Sequence, residues 1–172
     1  AIDALPLSKA FERNLNAVHQ ERSLRSRLFF EPNAEQFEEK QGLLCELGQY
    51  AANINELLEL MSLPSKNSRV LEVGPGKGGL LEELAKRFDT VVALDSSGEM
   101  LALAKGKAKG KPRSIEFVQG SLESYSPKGD AFDAVVLNMV MHHMASPAKA
   151  FQKLARLVRP GGYVLIADLC SH

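Results

Sequence analysis

The chain has no tryptophan, only two cysteines, no excess of either charge and no long apolar run among its 172 residues. Cys45 and Cys170 lie far apart, which excludes a disulfide framework and the close spacings of metal or redox pairs. Cys45 falls on the apolar side of a helical pattern, where a free thiol packs as a small hydrophobe. No stretch approaches the roughly 18 apolar residues of a membrane span, and the first residues do not form a secretory leader. The expectation is therefore a soluble, cytoplasmic protein. Lys plus Arg and Asp plus Glu each number 21, so the net charge is zero. Such a chain has no global attraction to nucleic acid or to an anionic membrane. One local cluster, Lys105, Lys107, Lys109, Lys111 and Arg113, is interleaved with Gly and Pro and reads as a solvated loop. Hydrophobic residues make up 45%, enough for a packed core.

Residues 1–62 read as a helical segment. Leu43, Leu44, Leu47, Ala51, Ile54, Leu57, Leu58 and Met61 fall on one helical face. Leu7 to Phe30 carries many charges and a looser apolar pattern, with a break expected near Glu31-Pro32-Asn33. Residues 63–172 alternate strand and helix. Short apolar runs at Arg69–Val73, Thr90–Leu94, Ile115–Val118, Ala134–Leu137 and Tyr163–Ala167 predict strands. Helices are predicted at Gly79–Phe88, Gly98–Lys109 and Pro147–Val158. The last has Ser146 as N-cap, Pro147 at its first position and Arg159-Pro160-Gly161-Gly162 as its stop. The pattern predicts an α/β fold, a Rossmann-like doubly wound parallel sheet with right-handed crossovers.

The chemistry concentrates at Val70-Leu71-Glu72-Val73-Gly74-Pro75-Gly76-Lys77-Gly78-Gly79. A strand ends there, glycines turn the chain and a helix follows. Gly74 and Gly76 let the backbone approach a ligand, because no Cβ intervenes. Asp95 closes the second strand 21 positions after Gly74, where a carboxylate can grip both ribose hydroxyls of an adenosine. Gly74, Gly76 and Gly79 also satisfy the dinucleotide pattern G-x-G-x-x-G, so the loop alone does not name the cofactor. Glu72 discriminates. A carboxylate inside a buried strand costs several kcal/mol (order of magnitude) unless it is partnered. A pyrophosphate would repel it, whereas a ligand with ammonium and sulfonium groups would suit it. The other reading is that Glu72 caps amides of its own loop.

In these features the chain resembles the class I S-adenosylmethionine (SAM)-dependent methyltransferases, most nearly the group containing the ubiquinone and menaquinone biosynthesis enzymes. The resemblance runs from Ser68 to Asp168. It rests on Val70–Gly78, Ala93–Leu101, Val118–Glu123, Phe132–Asn138, Met141-His142-His143-Met144 and Leu157–Tyr163. It implies the sheet order 3-2-1-4-5. The family sheet has seven strands, so the chain reads as lacking the last two and as part of a longer protein. SAM is the implied cofactor, held at the carboxyl edge of strands one, two and four. Glu72 would contact the methionine amino group, Gly74 and Gly76 the methionine portion, and Asp95 the ribose. Ser96 and Met100 would pack near the adenine, and Asn138 would offer a backbone carbonyl. After Gly120 the family commonly has Asp where this chain has Ser121, so side-chain recognition of the base is weakened and the N–H of Leu122 is left to hold the ring.

His142 and His143 are candidate catalytic residues, although a structural or pocket-lining role is favoured for both. Neighbours on a helix point about 100° apart and are not expected to share one metal, so no metal site is predicted. Asp168, at the end of the fifth strand, either lines the acceptor pocket or caps the next turn. Methyl transfer is an in-line displacement at an already activated methyl, so the protein supplies positioning and water exclusion. The acceptor is expected to be a small molecule, with neither membrane nor nucleic acid engaged through this part, and a homodimer is compatible with the reading. Glu21–Phe30 followed by Ala34-Glu35-Gln36-Phe37 resembles the connector that joins an ArsR-type repressor to a methyltransferase. The preferred reading of the segment is an amphipathic cap helix over the cofactor site, with its arginines solvated and Phe29 and Phe30 packed as core. Two further readings are a non-catalytic SAM-sensing module of a transcriptional regulator and an NAD-dependent oxidoreductase. Glu72 and the Arg159-Pro160-Gly161-Gly162 turn weigh against the oxidoreductase.

Overall fold

The computed structural model describes residues 8–33, 47–63, 66–108 and 115–168. Among the described residues, α1 (Lys9–Asn33) and α2 (Leu47–Glu59) precede β1 (Arg69–Val73), α3 (Leu81–Arg87) and β2 (Thr90–Asp95). Then come α4 (Gly98–Lys107), β3 (Ile115–Gln119), β4 (Phe132–Asn138), a 3₁₀ turn (Met141–His143), α5 (Pro147–Leu157) and β5 (Val158–Ala167). All strand pairs are parallel, in the order β3-β2-β1-β4-β5. Cys45, Cys170 and residues 109–114 of the basic cluster lie outside the described residues, while Lys105 and Lys107 are exposed.

The uniformly apolar strands are covered on both faces. Val70, Val91, Ala93, Ala134 and Val136 point to one layer, where Ile54 and Leu58 of α2 and Leu81 and Leu84 of α3 pack. Leu71, Val92, Leu94, Val135 and Leu137 point to the other, against Leu154 and Leu157 of α5. Each Val, Leu or Ile side chain so buried contributes about 1.5–3 kcal/mol. By this alternation Glu72 follows Val70 on the first face.

Side-chain caps fix where two of the helices begin. Ser97 Oγ accepts the Met100 N–H at 3.2 Å to start α4, and Ser146 Oγ accepts the Lys149 N–H at 3.5 Å to start α5. α1 continues through Pro32 to Asn33, so the expected break becomes the last turn of the helix. α5 ends at Leu157, just ahead of Arg159-Pro160-Gly161-Gly162 as expected, but β5 begins at Val158 rather than Tyr163, so that segment belongs to the strand. β5 carries an irregularity opposite Phe132 and Ala134. Gly161 has φ +75, and a Cβ on Gly162 would lie 2.8 Å from the Asp133 carbonyl oxygen. The two glycines thus let the strand bend around Asp133. That buried carboxylate accepts from the Arg69 N–H at 2.7 Å and Arg159 Nε at 2.5 Å, tying β1 to β5.

Candidate active site

A cavity of about 870 Å³ opens at the carboxyl ends of β1, β2 and β4. The tightest bend lies after β1. Gly74 sits at φ +66, its N–H donates to the Leu94 carbonyl at 2.8 Å, and a Cβ there would stand 2.5 Å from Val140 Cγ2. Gly76 is also left-handed, at φ +56. Gly78 serves packing: a Cβ would meet the Ala104 backbone at 3.2 Å, so this glycine seats the loop against α4. α3 consequently starts at Leu81, two residues later than the sequence pattern implied.

Ten of the residues singled out in the sequence line this one cavity: Glu72, Gly74, Gly76, Asp95, Ser96, Met100, Ser121, Leu122, Asn138 and His143. Glu72 is 2% exposed and its Oε2 has no hydrogen-bond partner. Burial, aided by the nearby Asp95 charge, pushes its pKa up to about 8. Asp95 is pushed up to about 6 by burial, against the opposing backbone N–H groups of Ser97 and Ser96. The Ser97 N–H reaches Asp95 Oδ1 at 2.9 Å. Asn138 contributes more than a carbonyl at a strand end, since its side-chain Oδ1 is itself buried without a partner. Met139 follows at φ +55, a strained backbone for a non-glycine residue, and its N–H is held by the Ala167 carbonyl at 2.8 Å. Ser121 is already engaged in its own turn: its Oγ accepts the Ser124 N–H at 3.3 Å and lies 3.0 Å from Ser124 Oγ.

The adjacent histidines have different neighbours. His143 lines the cavity, whereas His142 turns to Asp168, with Nδ1 2.6 Å from Oδ1 and its N–H donating to Oδ2 at 3.1 Å. Asp168 therefore fastens the 3₁₀ turn to the end of β5, a role the sequence did not suggest. The two rings stand 3.9 Å apart, closer than helical directions would place them. Burial and the His142 ring lower the His143 pKa to about 4, with Asp168 opposing, so His143 is neutral at pH 7. Among the described residues no group of three or more His, Cys, Asp or Glu could hold a metal ion.

The sequence reading makes the N-terminal segment a cap over the cofactor site but does not single out the side chains of α1 that line the cavity. Asn16, His19 and Gln20 line the cavity, and α1 lies against α4 and the 3₁₀ turn. Arg22 donates to the Ala145 carbonyl at 3.3 Å, and Lys149 Nζ donates to Asn16 Oδ1 at 3.2 Å. The signal was faint, because the described apolar side chains of the helix are largely exposed; Phe11 and Val18 are half exposed. The side chains of Phe29 and Phe30, expected as core, lie outside the described ones.

A parallel sheet in this order, with an acidic, glycine-lined cleft at its topological switch point, is the Rossmann-like architecture on which the class I SAM-dependent methyltransferases are built. Residues 71–166 match the methyltransferase domain family, and the chain belongs to it. It is similar to the ubiquinone biosynthesis O-methyltransferase of Aliivibrio fischeri (strain MJ11), with 32% identity over 102 residues. That match covers 59% of this chain and 44% of the relative, so the chain spans less than half that protein's length. The solved DhpI–SAM–HEP complex is similar at 25% identity and TM-score 0.64, covering 87% of this chain and 67% of that one. The [4+2]-cyclase SpnF shares the fold at 19% identity and TM-score 0.67, over 83% and 58% of the two chains. Among the described residues no helix is long and apolar enough to cross a membrane.

Proposed function

We propose that this chain binds SAM in the cleft and transfers its methyl group to a small-molecule acceptor. The observation that carries the reading is Glu72, a buried carboxylate with an unpartnered oxygen, in one cavity with the orphaned amide oxygen of Asn138. Both atoms lack a donor, and an ammonium group supplies one. A dinucleotide pyrophosphate would instead meet two carboxylates, Glu72 and Asp95.

SAM supplies a methyl group already activated by its sulfonium. Glu72 and Asn138 would hold the amino acid end, Gly74 and Gly76 would pass close beneath it, and Asp95 would accept from the ribose hydroxyls. Ser96, Met100 and Leu122 would enclose the base, with Ser121 beside them. Residues 63–172 form the cofactor-binding core in this reading, and α1 of residues 1–62 excludes water from the cleft. His143, the histidine that lines this cavity, would face the acceptor. Being neutral, it neither repels a sulfonium nor holds a proton that blocks acceptance of another.

SpnF shows that the fold alone does not fix the reaction. A SAM-sensing module would share every cofactor contact, so the test has two stages. Calorimetry with S-adenosylhomocysteine (SAH) and with NAD tests the cofactor, and tight NAD binding without SAH binding overturns the reading. Screening for SAH release over small-molecule acceptors then separates an enzyme from a sensor.

A further inference from the structure

The cavity is electrically divided. Its lining carboxylates, Glu72, Asp95 and Glu123, all come from β1, β2 and the turn after β3, where the cofactor reading places SAM. Lys77 and Lys107 also reach that half. The other half is walled by α1, the segment after β4 and the start of α5, and none of its lining residues is acidic. Lys149 lines it from the first turn of α5, with the neutral amide oxygen of Asn16 at 3.2 Å from its Nζ. The Arg22 guanidinium is held nearby on the Ala145 carbonyl, itself part of the lining. His19 presents a ring nitrogen, Nδ1, that is buried without a partner, and His143 is neutral.

A lining cation, Lys149, with no lining carboxylate in its half, favours an anion, and complementary charge fixes which end of a ligand enters first. The unpartnered His19 nitrogen calls for a second polar atom on the same ligand. We infer that this half is the acceptor subsite, and that it takes a small molecule bearing an acidic group, carboxylate or phosphate, held at Lys149 between α1 and the start of α5. The inference rests on the methyltransferase reading, since the first half must be filled by the cofactor.

The test uses the full chain with saturating SAH and four probes on one phenolic frame. These are 4-hydroxybenzoate, 4-hydroxyphenyl phosphate, 4-hydroxybenzyl alcohol and tyramine. Calorimetry should show at least one anion binding about tenfold or more tightly than the alcohol and the amine. The imidazole resonances of His19 and His143 should move with it. Whichever anion is tighter identifies the acidic group. Lys149→Gln should abolish the preference while SAH affinity stays within about twofold, as expected for an exposed side chain. The inference is overturned if SAH binds but neither anion does, if the alcohol or tyramine binds as tightly, or if Lys149→Gln keeps the preference. A chain that does not bind SAH at all overturns the methyltransferase reading first, and the subsite with it.

Discussion

Glu72 and Asp95 face one cavity from neighbouring strands, and the charge of Asp95 raises the pKa of Glu72. Two carboxylates so close in a buried site cannot both ionise freely without a cation. A ligand with positive charge relieves both, so cofactor affinity and carboxylate titration are coupled. The coupling makes the site's electrostatics measurable before any acceptor is known.

The pH dependence of stability follows from the sign of the shift. The folded-state pKa of Glu72, about 8, lies above its ordinary 4.5. Its contribution is therefore fully present below pH 4.5 and lost as the pH rises through 8. Without ligand, the wild-type protein should weaken between pH 5 and 8. Glu72→Gln should flatten that decline and be more stable than wild type at pH 9 by at least about 1.4 kcal/mol. Urea unfolding at several pH values measures this, and parallel curves for the two proteins would contradict it.

Binding should run the other way. Cation recognition needs an ionised Glu72, so SAH affinity should rise by up to about tenfold per unit between pH 6 and 7.5. Calorimetry in buffers of different ionisation enthalpy should detect proton release. Glu72→Gln should bind weakly with little pH dependence.

Asp95→Ala removes the hydrogen bonds proposed for the ribose, each worth about 0.5–1.5 kcal/mol and more when charge-assisted. SAH affinity should fall about tenfold or more. It should also lower the pKa of Glu72. Unchanged affinity would move the ribose elsewhere.

Gly74→Ala meets both an unfavourable φ and Val140 Cγ2 at 2.5 Å. The expected cost is about 1–3 kcal/mol. Adding Val140→Ala should recover part of the loss, because it clears the contact but leaves the backbone strain. Full recovery would mean that φ is unimportant there.

Ser121→Asp should leave SAH affinity unchanged or improve it. An Asp oxygen can still accept the Ser124 N–H that Ser121 Oγ now takes, and it offers a stronger acceptor toward the base. A large loss by calorimetry would show that Ser121 faces a crowded or already anionic surface.

Much of the cofactor half was legible because its signals are local. Gly74 must turn, Glu72 is conspicuous in an apolar strand, and Asp95 ends the next strand at a fixed offset. Strand ends were less legible. Phe132 and Asp133 belong to β4, and β5 runs back to Val158: Arg159-Pro160-Gly161-Gly162 follows the end of α5 as a helix stop should, yet pairs around Asp133 as part of the strand. The acceptor half was hidden because tertiary placement assembles it. A cap helix is legible in the N-terminal segment, but nothing around His19 singles out the residues of α1 that line the cleft, and the pairing of His142 with Asp168, at the far end of β5, is a tertiary contact.

The central claim is that Glu72, Asp95 and Asn138 form a cradle for SAM, and SAH against NAD in one calorimeter tests it most directly. The account predicts saturable 1:1 binding of SAH that Glu72→Gln and Asp95→Ala each weaken, with no measurable binding of NAD. Tight NAD binding without SAH binding, or SAH binding that neither substitution disturbs, would contradict it.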